Sequence, residues 1–194
     1  MMTARLFSTA SVMALLGVGP LLAAVSCAED PVHDQQVFAL GGEDPNIPPG
    51  PYHRAGQPCT VCHGPQGPAT TQFSLAGTIF EKNSLLGVEN AEILLVDAYG
   101  TNPPNVPLTN CVGNFYITPD VWNPAFPLSV GVAAGGMKMP MMTQISRASS
   151  CAECHNLPSG FASPGVVYIN VSVNPKEHSK CPVQGPAGGE AGIP

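Results

Sequence analysis

The sequence predicts a mainly β protein, an antiparallel β-sandwich, and three observations indicate it. Residues 128–133 and 167–173 alternate between apolar and small or polar side chains, which places one face of a strand on a core and the other in solvent. Proline (22 residues) and glycine (21 residues) are abundant, which favours turns over long helices. Six or seven short strands are predicted between about residues 73 and 173, as in a sandwich.

The predicted strands follow one another through the central part of the chain. Residues 73–80 are rich in β-formers, and residues 91–98 contain a run of four aliphatic side chains. A turn sequence at 99–104 precedes a further short strand at 114–118. Loop-rich segments are expected before and within this set of strands.

The charge of the chain excludes one class of partner. Charged residues make up only 10% of the sequence, and the formal net charge is −6 at pH 7. A nucleic-acid-binding surface needs a basic patch or stripe. The composition therefore predicts no nucleic-acid partner.

Two five-residue strings carry most of the functional information. Residues 59–63 read Cys-Thr-Val-Cys-His and residues 151–155 read Cys-Ala-Glu-Cys-His, and both match C-x-x-C-H, the attachment signature of a c-type haem. On one helical turn the cysteines project to the same side, where their sulfurs can form thioethers with the haem vinyl groups. The next histidine then binds the iron axially. The sequence predicts two c-type haems, the second on a loop and a single helical turn between the last two strands. The residues expected to bind them are Cys59, Cys62, His63, Cys151, Cys154 and His155.

The sixth ligands of the two irons stay open at this point. His53 is the preferred candidate because it precedes Cys59 by six residues, although this is a tight span for the same haem, so it could instead reach the other one. An ordinary loop histidine is the alternative. His178 could bind the second iron, with a solvated tail residue as an equal alternative. Met139 is the methionine selected if one binds an iron, and a methionine ligand would raise the potential of that haem. Methionines of the cluster 136–142 could equally fill gaps in the core.

The N-terminal 26 residues have the features of a secretory signal peptide. Arg5 is followed by a long apolar run without charged side chains. Residues 22–27 resemble a bacterial lipobox, which predicts a lipid on Cys27. The alternatives are simple cleavage with a free Cys27 and, third, an uncleaved membrane anchor. We expect an exported chain that is lipid-anchored to the outer membrane or cell surface, or else soluble in the periplasm or secreted.

The cysteine count predicts one disulfide bond. The chain has seven cysteines. One lipid and four thioethers leave Cys111 and Cys181, and an oxidising compartment favours their pairing. Two unpaired, buried thiols are the alternative.

These features divide the chain into four parts. Residues 1–26 are the predicted signal peptide and residues 27–51 a flexible Pro/Gly-rich tether. Residues 52–181 form the predicted dihaem domain, with the sandwich at about 73–173. The tail, 182–194, is expected to be disordered.

The order of motifs resembles that of exported bacterial dihaem and multihaem c-type cytochromes. The pattern H-x-x-G-x-x-C-x-x-C-H begins at His53, and Ala-Gly-Thr-Ile-Phe (76–80), Val-Gly-Asn-Phe-Tyr (112–116) and a Met-Pro region precede the second C-x-x-C-H. In the cytochromes that it resembles, a β-sandwich lies between haem motifs. This sandwich is carboxypeptidase-regulatory-like or transthyretin-like, which is an immunoglobulin-like arrangement. The resemblance covers roughly residues 52–173. It implies electron transfer and names no partner.

We expect an electron-transfer protein of extracytoplasmic electron transport rather than an enzyme. Its partners would be redox proteins or extracellular electron acceptors, with a membrane surface contacted through the lipid anchor. The alternative is a dihaem redox enzyme, a peroxidase or small-molecule reductase, which needs one haem with an open face and acid–base groups beside it. The acids Asp97, Asp120 and Glu153 show no such pattern.

A zinc-binding structural module is the second alternative. Two C-x-x-C pairs can together form a zinc site. The histidine after each pair and the export signal argue against it.

Overall fold

The structure, a computed structural model, describes residues 30–43, 45, 47, 49–179 and 181. The predictions for the signal peptide, for the lipid on Cys27 and for the tail lie outside these residues. The described part is mainly β, as the sequence predicts. Its helices are all too short or too polar to cross a bilayer.

Seven short strands and four short helical segments make up the described chain. The strands are β1 Leu75–Thr78, β2 Phe80–Glu81, β3 Glu92–Val96, β4 Asn114–Ile117, β5 Ser129–Ala134, β6 Met137–Pro140 and β7 Tyr168–Ile169. The helices are α1 Pro31–Ala39, α2 Cys59–His63, a 3₁₀ helix at Cys151–Glu153 and α3 Pro175–His178.

The strands form three small sheets. β1 pairs with β4, and β5 pairs with β3 on one side and β6 on the other, all antiparallel. β2 and β7 pair in parallel, unlike the antiparallel pairing that the sequence predicts. No hairpin constrains these two strands, because most of the domain lies between them in the chain, so either direction is open to them.

Two strands differ in extent from the sequence prediction. The alternating run 167–173 pairs as a strand only at Tyr168–Ile169, while Val171 and Val173 pack against the core without a strand partner. The alternation of apolar and polar side chains in this segment therefore reflects burial of its apolar side chains rather than pairing in a sheet. β6 was not predicted as a strand, and it is joined to β5 by Gly135 and Gly136, which both have positive φ, as two-residue hairpin turns require.

A helix lies within the segment expected to be a flexible tether. The carboxylate of Asp30 accepts hydrogen bonds from the backbone amides of Val32 (3.0 Å) and His33 (3.2 Å), and Pro31 occupies the first turn of α1. An acidic N-cap followed by proline is a favourable start for a helix. None of the α1 residues is fully buried, but the helix packs beside α2.

The three sheets share one hydrophobic core. Its largest fully buried side chains come from each of them and from the connecting loops: Leu75, Ile79, Ile93, Phe115, Leu128 and Ile169. β1 is buried at all four of its positions. Both α2 and the 3₁₀ helix pack against β1, so the core brings the two C-x-x-C-H segments together on one strand.

A disulfide bond joins Cys111 to Cys181 across a separation of 70 residues, with the two Cα atoms 5.7 Å apart. It fastens the chain after α3 to the loop before β4. A cross-link that closes a loop of this length removes much of the freedom of the unfolded chain.

The double substitution Cys111→Ser/Cys181→Ser should lower the free energy of unfolding by up to ~4 kcal/mol, the amount that loop-closure entropy gives for such a loop. Denaturant unfolding measures this loss. In the unchanged protein, alkylation after denaturation without reduction should leave both cysteines unmodified, and prior reduction should expose them. Alkylation of both without reduction would contradict the bond.

Candidate functional site

The first C-x-x-C-H motif forms the single helical turn that its spacing predicts. Cys59 is the first residue of α2 and His63 the last. Cys59, Cys62 and His63 line one cavity of about 370 Å³, within the usual range for ligand and cofactor sites. Its other walls are largely apolar and include Leu40, Pro51, Phe73, Phe115 and Tyr116.

The ring of His63 is oriented by a backbone hydrogen bond. Its Nδ1 lies 2.9 Å from the carbonyl oxygen of Thr71. A carbonyl can only accept, so Nδ1 carries the proton and Nε2 keeps its lone pair. The ring also stacks on Phe73, with centroids 4.1 Å apart, and Phe73 stacks on Tyr116 at 4.6 Å.

The surroundings of His63 favour its neutral form. Burial lowers the pKa of His63 below its usual value and the nearby His53 lowers it further, against the opposing effect of the bond to Thr71. The neutral imidazole is the form that binds a metal.

His53 lines the same cavity as His63. The centroids of the two rings are 5.8 Å apart, and the rings are inclined by 40°. Two imidazoles this close together could both bind one metal ion held in the cavity. The structure thus brings His53 to its own motif, one of the two positions that the sequence left open.

The segment that carries His53 is held in place by Arg54. The guanidinium donates to the carbonyl oxygens of Leu40 (3.1 Å) and Gly41 (2.6 Å), at the end of α1, and pairs with Glu43 at 2.6 Å. Arg54 itself has a φ of 51°, the left-handed conformation that non-glycine residues rarely adopt. This turn, together with Gly56 at φ 81°, folds the chain back so that His53 faces α2.

The second motif begins with the 3₁₀ helix Cys151–Glu153 and continues through Cys154 to His155. Side chains three apart lie on the same side of a 3₁₀ helix. The Nδ1 of His155 lies 3.0 Å from the carbonyl oxygen of Gly165, so its Nε2 also keeps its lone pair. The two motif histidines therefore share one arrangement, although their partners come from different loops.

The second cavity is larger, about 760 Å³, and it is lined by Cys151, Cys154 and His155. Met139 of β6 and Met141, just after that strand, line the same cavity. Met139 is the methionine that the sequence analysis selected as a possible ligand, and the structure places it on the wall of the cavity that contains His155.

His178 lies elsewhere. It is the last residue of α3, and its Nε2 accepts a hydrogen bond from the backbone amide of Gly87 at 3.2 Å. It lines two other cavities and not the one with His155. Of these two candidate ligands, Met139 lines the cavity that contains His155 and His178 does not.

The two motifs touch each other at their first cysteines. Cys59 donates its backbone amide to Ser150, and Thr60 donates its hydroxyl to Glu153. Burial raises the pKa of the Cys59 thiol, and it raises the pKa of Cys151 to about 12, to which the nearby Cys59 also contributes. Any side chain at Gly77 of β1 would collide with Cys151 and Phe115, so the second motif needs glycine there.

The acids considered for an enzyme site have structural roles. Asp97 accepts backbone hydrogen bonds from Tyr99, Thr101 and Ala125 at 2.8–3.3 Å, which closes the turn after β3. Asp120 lies on the exposed turn after β4. Glu153 bonds to the other motif.

The four motif cysteines do not form a zinc cage in the described structure. Across residues 30–43, 45, 47, 49–179 and 181, no three His, Cys, Asp or Glu side chains come together as a metal-binding group.

Sequence reasoning did not single out Ser150, Thr60 or His33. The Ser-x-x-Glu spacing of Ser150 and Glu153 is that of a helix capping box and was a signal that could have been used. His33 on α1 has a buried Nε2 without a hydrogen-bond partner among the described residues. Such orphaned buried atoms are rare, but nothing in the sequence around His33 indicates its burial.

No known family model, curated protein or solved structure matches this chain. Its function is therefore argued from the two cavities and the residues around them.

The thiols of a chain made without haem attachment should differ in reactivity. The thiolate is the nucleophile, so at pH 8 the exposed Cys154 should react fastest and Cys151, with its pKa raised to about 12, slowest. An alkylation time course followed by peptide mass spectrometry measures this order.

The alkylation rates should be compared below about pH 9, where the fold is not destabilised by ionisation of Cys151. Between the usual thiol pKa of 9.0 and about 12 the unfolded chain ionises Cys151 while the folded chain does not, so rising pH destabilises the fold there. Equal rates at Cys151 and Cys154 at pH 8, in a chain whose circular dichroism shows strands, would contradict the described burial.

Proposed function

We propose that this protein is an electron carrier that binds two c-type haems covalently, one at each C-x-x-C-H motif, and that it works in electron transport outside the cytoplasm. One observation carries the proposal. In each motif both cysteines and the histidine line a single cavity, while the histidine Nδ1 donates to a backbone carbonyl and Nε2 keeps its lone pair. Bound haem supplies one-electron exchange between ferrous and ferric iron.

The chain contributes attachment and orientation. Cys59 and Cys62 would attach the first haem, and Cys151 and Cys154 the second. The carbonyls of Thr71 and Gly165 fix the tautomer of each motif histidine and make Nε2 a stronger donor to iron, as such outer partners do for metal-bound histidines.

The two sites differ in ways that favour two different potentials. The first has His53 facing His63 and is walled by stacked aromatic rings. The second has Met139 on its wall. Methionine as an axial ligand raises the reduction potential relative to histidine, so the second haem is proposed to have the higher potential.

The placement of His53 supports a carrier over an enzyme. An iron that is bound by histidine on both faces has no open position for a substrate. Two of the acids considered for an enzyme, Asp97 and Glu153, are committed to a turn and to the contact between motifs.

The proposed location follows from the sequence. A signal peptide would direct export, and a lipid on Cys27 would anchor the protein to the outer membrane or cell surface, where it would exchange electrons with redox proteins or extracellular acceptors. Its net charge of −6 favours partners that present a basic face, because complementary charge speeds encounter.

Protein produced in a host with cytochrome-maturation factors should carry two haems. The intact mass should exceed that of the polypeptide and any acyl groups by two haems, and the pyridine haemochrome spectrum should give two per chain. Replacing Cys59 and Cys62 by alanine, or Cys151 and Cys154, should remove one haem each, whereas Cys111→Ser/Cys181→Ser should keep both. A colourless product, or one that contains zinc without iron, would refute the proposal.

The proposed axial ligands can be distinguished by spectroscopy. His53→Ala should open one iron per chain to carbon monoxide and give a high-spin electron paramagnetic resonance signal, while His178→Ala, whose Nε2 is bonded to Gly87, should leave the spectra unchanged.

The corresponding test for the second iron uses Met139→Ala, which should abolish the methionine–iron charge-transfer band and lower the higher potential. Met142, 94% exposed, provides the matched control Met142→Ala. A charge-transfer band that survives in Met139→Ala, or one that is absent from the unchanged protein, would remove Met139 from the assignment.

A further inference from the structure

Resting on the proposed function, we infer that Ser150, Glu153 and Thr60 form a polar clamp that fixes the two haem-attachment motifs against each other and so sets how strongly the two irons influence each other's potential. The three residues form hydrogen bonds between segments that are 91 and 93 positions apart in the chain.

The side chains that cap the 3₁₀ helix also form the hydrogen bonds of the clamp. Ser150 is the N-cap of the 3₁₀ helix and forms a capping box with Glu153, whose Oε1 accepts from the amide of Ser150 at 3.1 Å. The same Oε1 accepts from the Thr60 hydroxyl at 2.8 Å. Ser150 Oγ accepts from the amide of Cys59 at 3.1 Å. Both side chains of the cap thus reach the other motif.

The first motif depends on this contact for its own helix. The first amides of a helix have no partner inside the helix, and Pro58, at the N-cap of α2, gives no side-chain hydrogen bond. Ser150 supplies an acceptor at this end. It is only 2% exposed, so the amide of Cys59 has a partner away from solvent.

The clamp is built on a rigid base. The amide of Ala76 in β1 donates to the carbonyl of Ser149 at 2.9 Å, next to Ser150. The hydroxyl of Thr78, at the other end of β1, accepts from the amide of Gly56, ahead of the first motif, at 2.8 Å. One fully buried strand therefore holds the chain beside each motif.

The consequence concerns the separation of the two midpoint potentials. A charge on one iron disfavours a like charge on the other, and the effect grows as their distance and the local dielectric constant fall. The clamp joins Cys59 to Ser150, the residue before Cys151, and so holds the first attachment residues of the two motifs near each other. Loosening the clamp should therefore narrow the separation of the potentials.

The test is a spectroelectrochemical titration of the full-length, haem-loaded protein. Thr60→Val removes only the hydroxyl and changes no charge, and Glu153→Ala removes its acceptor. Both should narrow the separation of the two midpoint potentials, and the double variant should narrow it no further than the more affected single variant, because the two groups make one bond. Glu153→Gln keeps Oε1 and should restore most of the separation.

Two controls distinguish the clamp from other effects. Thr70→Val changes an exposed threonine and should leave the separation unchanged. Ser150→Ala, which leaves the amide of Cys59 unpaired, should also lower the thermal unfolding temperature, and if it prevents folding, Thr60→Val still carries the test. A chain without haem in the unchanged protein overturns the proposed function. A two-haem chain whose potentials are insensitive to Thr60→Val and Glu153→Ala, or whose shifts add in the double variant, overturns the clamp alone.

Discussion

The burial of β1 is the constraint on which both candidate sites depend. Leu75–Thr78 is buried at every position, pairs with β4 along one edge and forms a bridge from Ala76 to Ser150 on its other side. A strand without a solvent face has little freedom to shift register, because a slip by one residue would exchange all its packed side chains. The segments bonded to it acquire a fixed position, and these include the lead into each C-x-x-C-H motif.

The two candidate sites are unequal, which would matter for the proposed electron carrier. The first is a cavity of about 370 Å³ lined by two histidines and a pair of stacked aromatic rings. The second is twice that size, about 760 Å³, and has methionines on its wall. If each cavity holds a haem, different axial ligands and different solvent access would give the two haems different potentials.

Much of the fold was accessible from local sequence, and the failures have physical causes. Strands β3, β4 and β5 follow from their apolar runs, and α2 from the spacing of its cysteines. The predicted strands at 73–80 and 167–173 reach β2 and include β7, but the parallel pairing of these two strands did not follow, since it is decided by packing between distant segments. The helix α1 was not predicted from the sequence because its proline, which is a good first residue of a helix, stands among other prolines that interrupt regular secondary structure.

The residues of the candidate site were likewise only partly predictable from local sequence. Local spacing predicts the attachment cysteines and their histidines. It left the position of His53 open because six residues are a tight span for the chain to turn back, and the turn depends on the left-handed conformations of Arg54 and Gly56. The contacts of Ser150 and Glu153 with the first motif join residues about 90 positions apart, and a local sequence pattern cannot indicate such contacts.

A crystal structure of the haem-loaded protein is the most direct test of the proposed attachment of two haems. We expect iron on Nε2 of both His63 and His155 while each Nδ1 keeps its bond to Thr71 or Gly165. A structure with zinc, with no iron, or with either ring turned so that Nδ1 binds the metal would contradict this expectation.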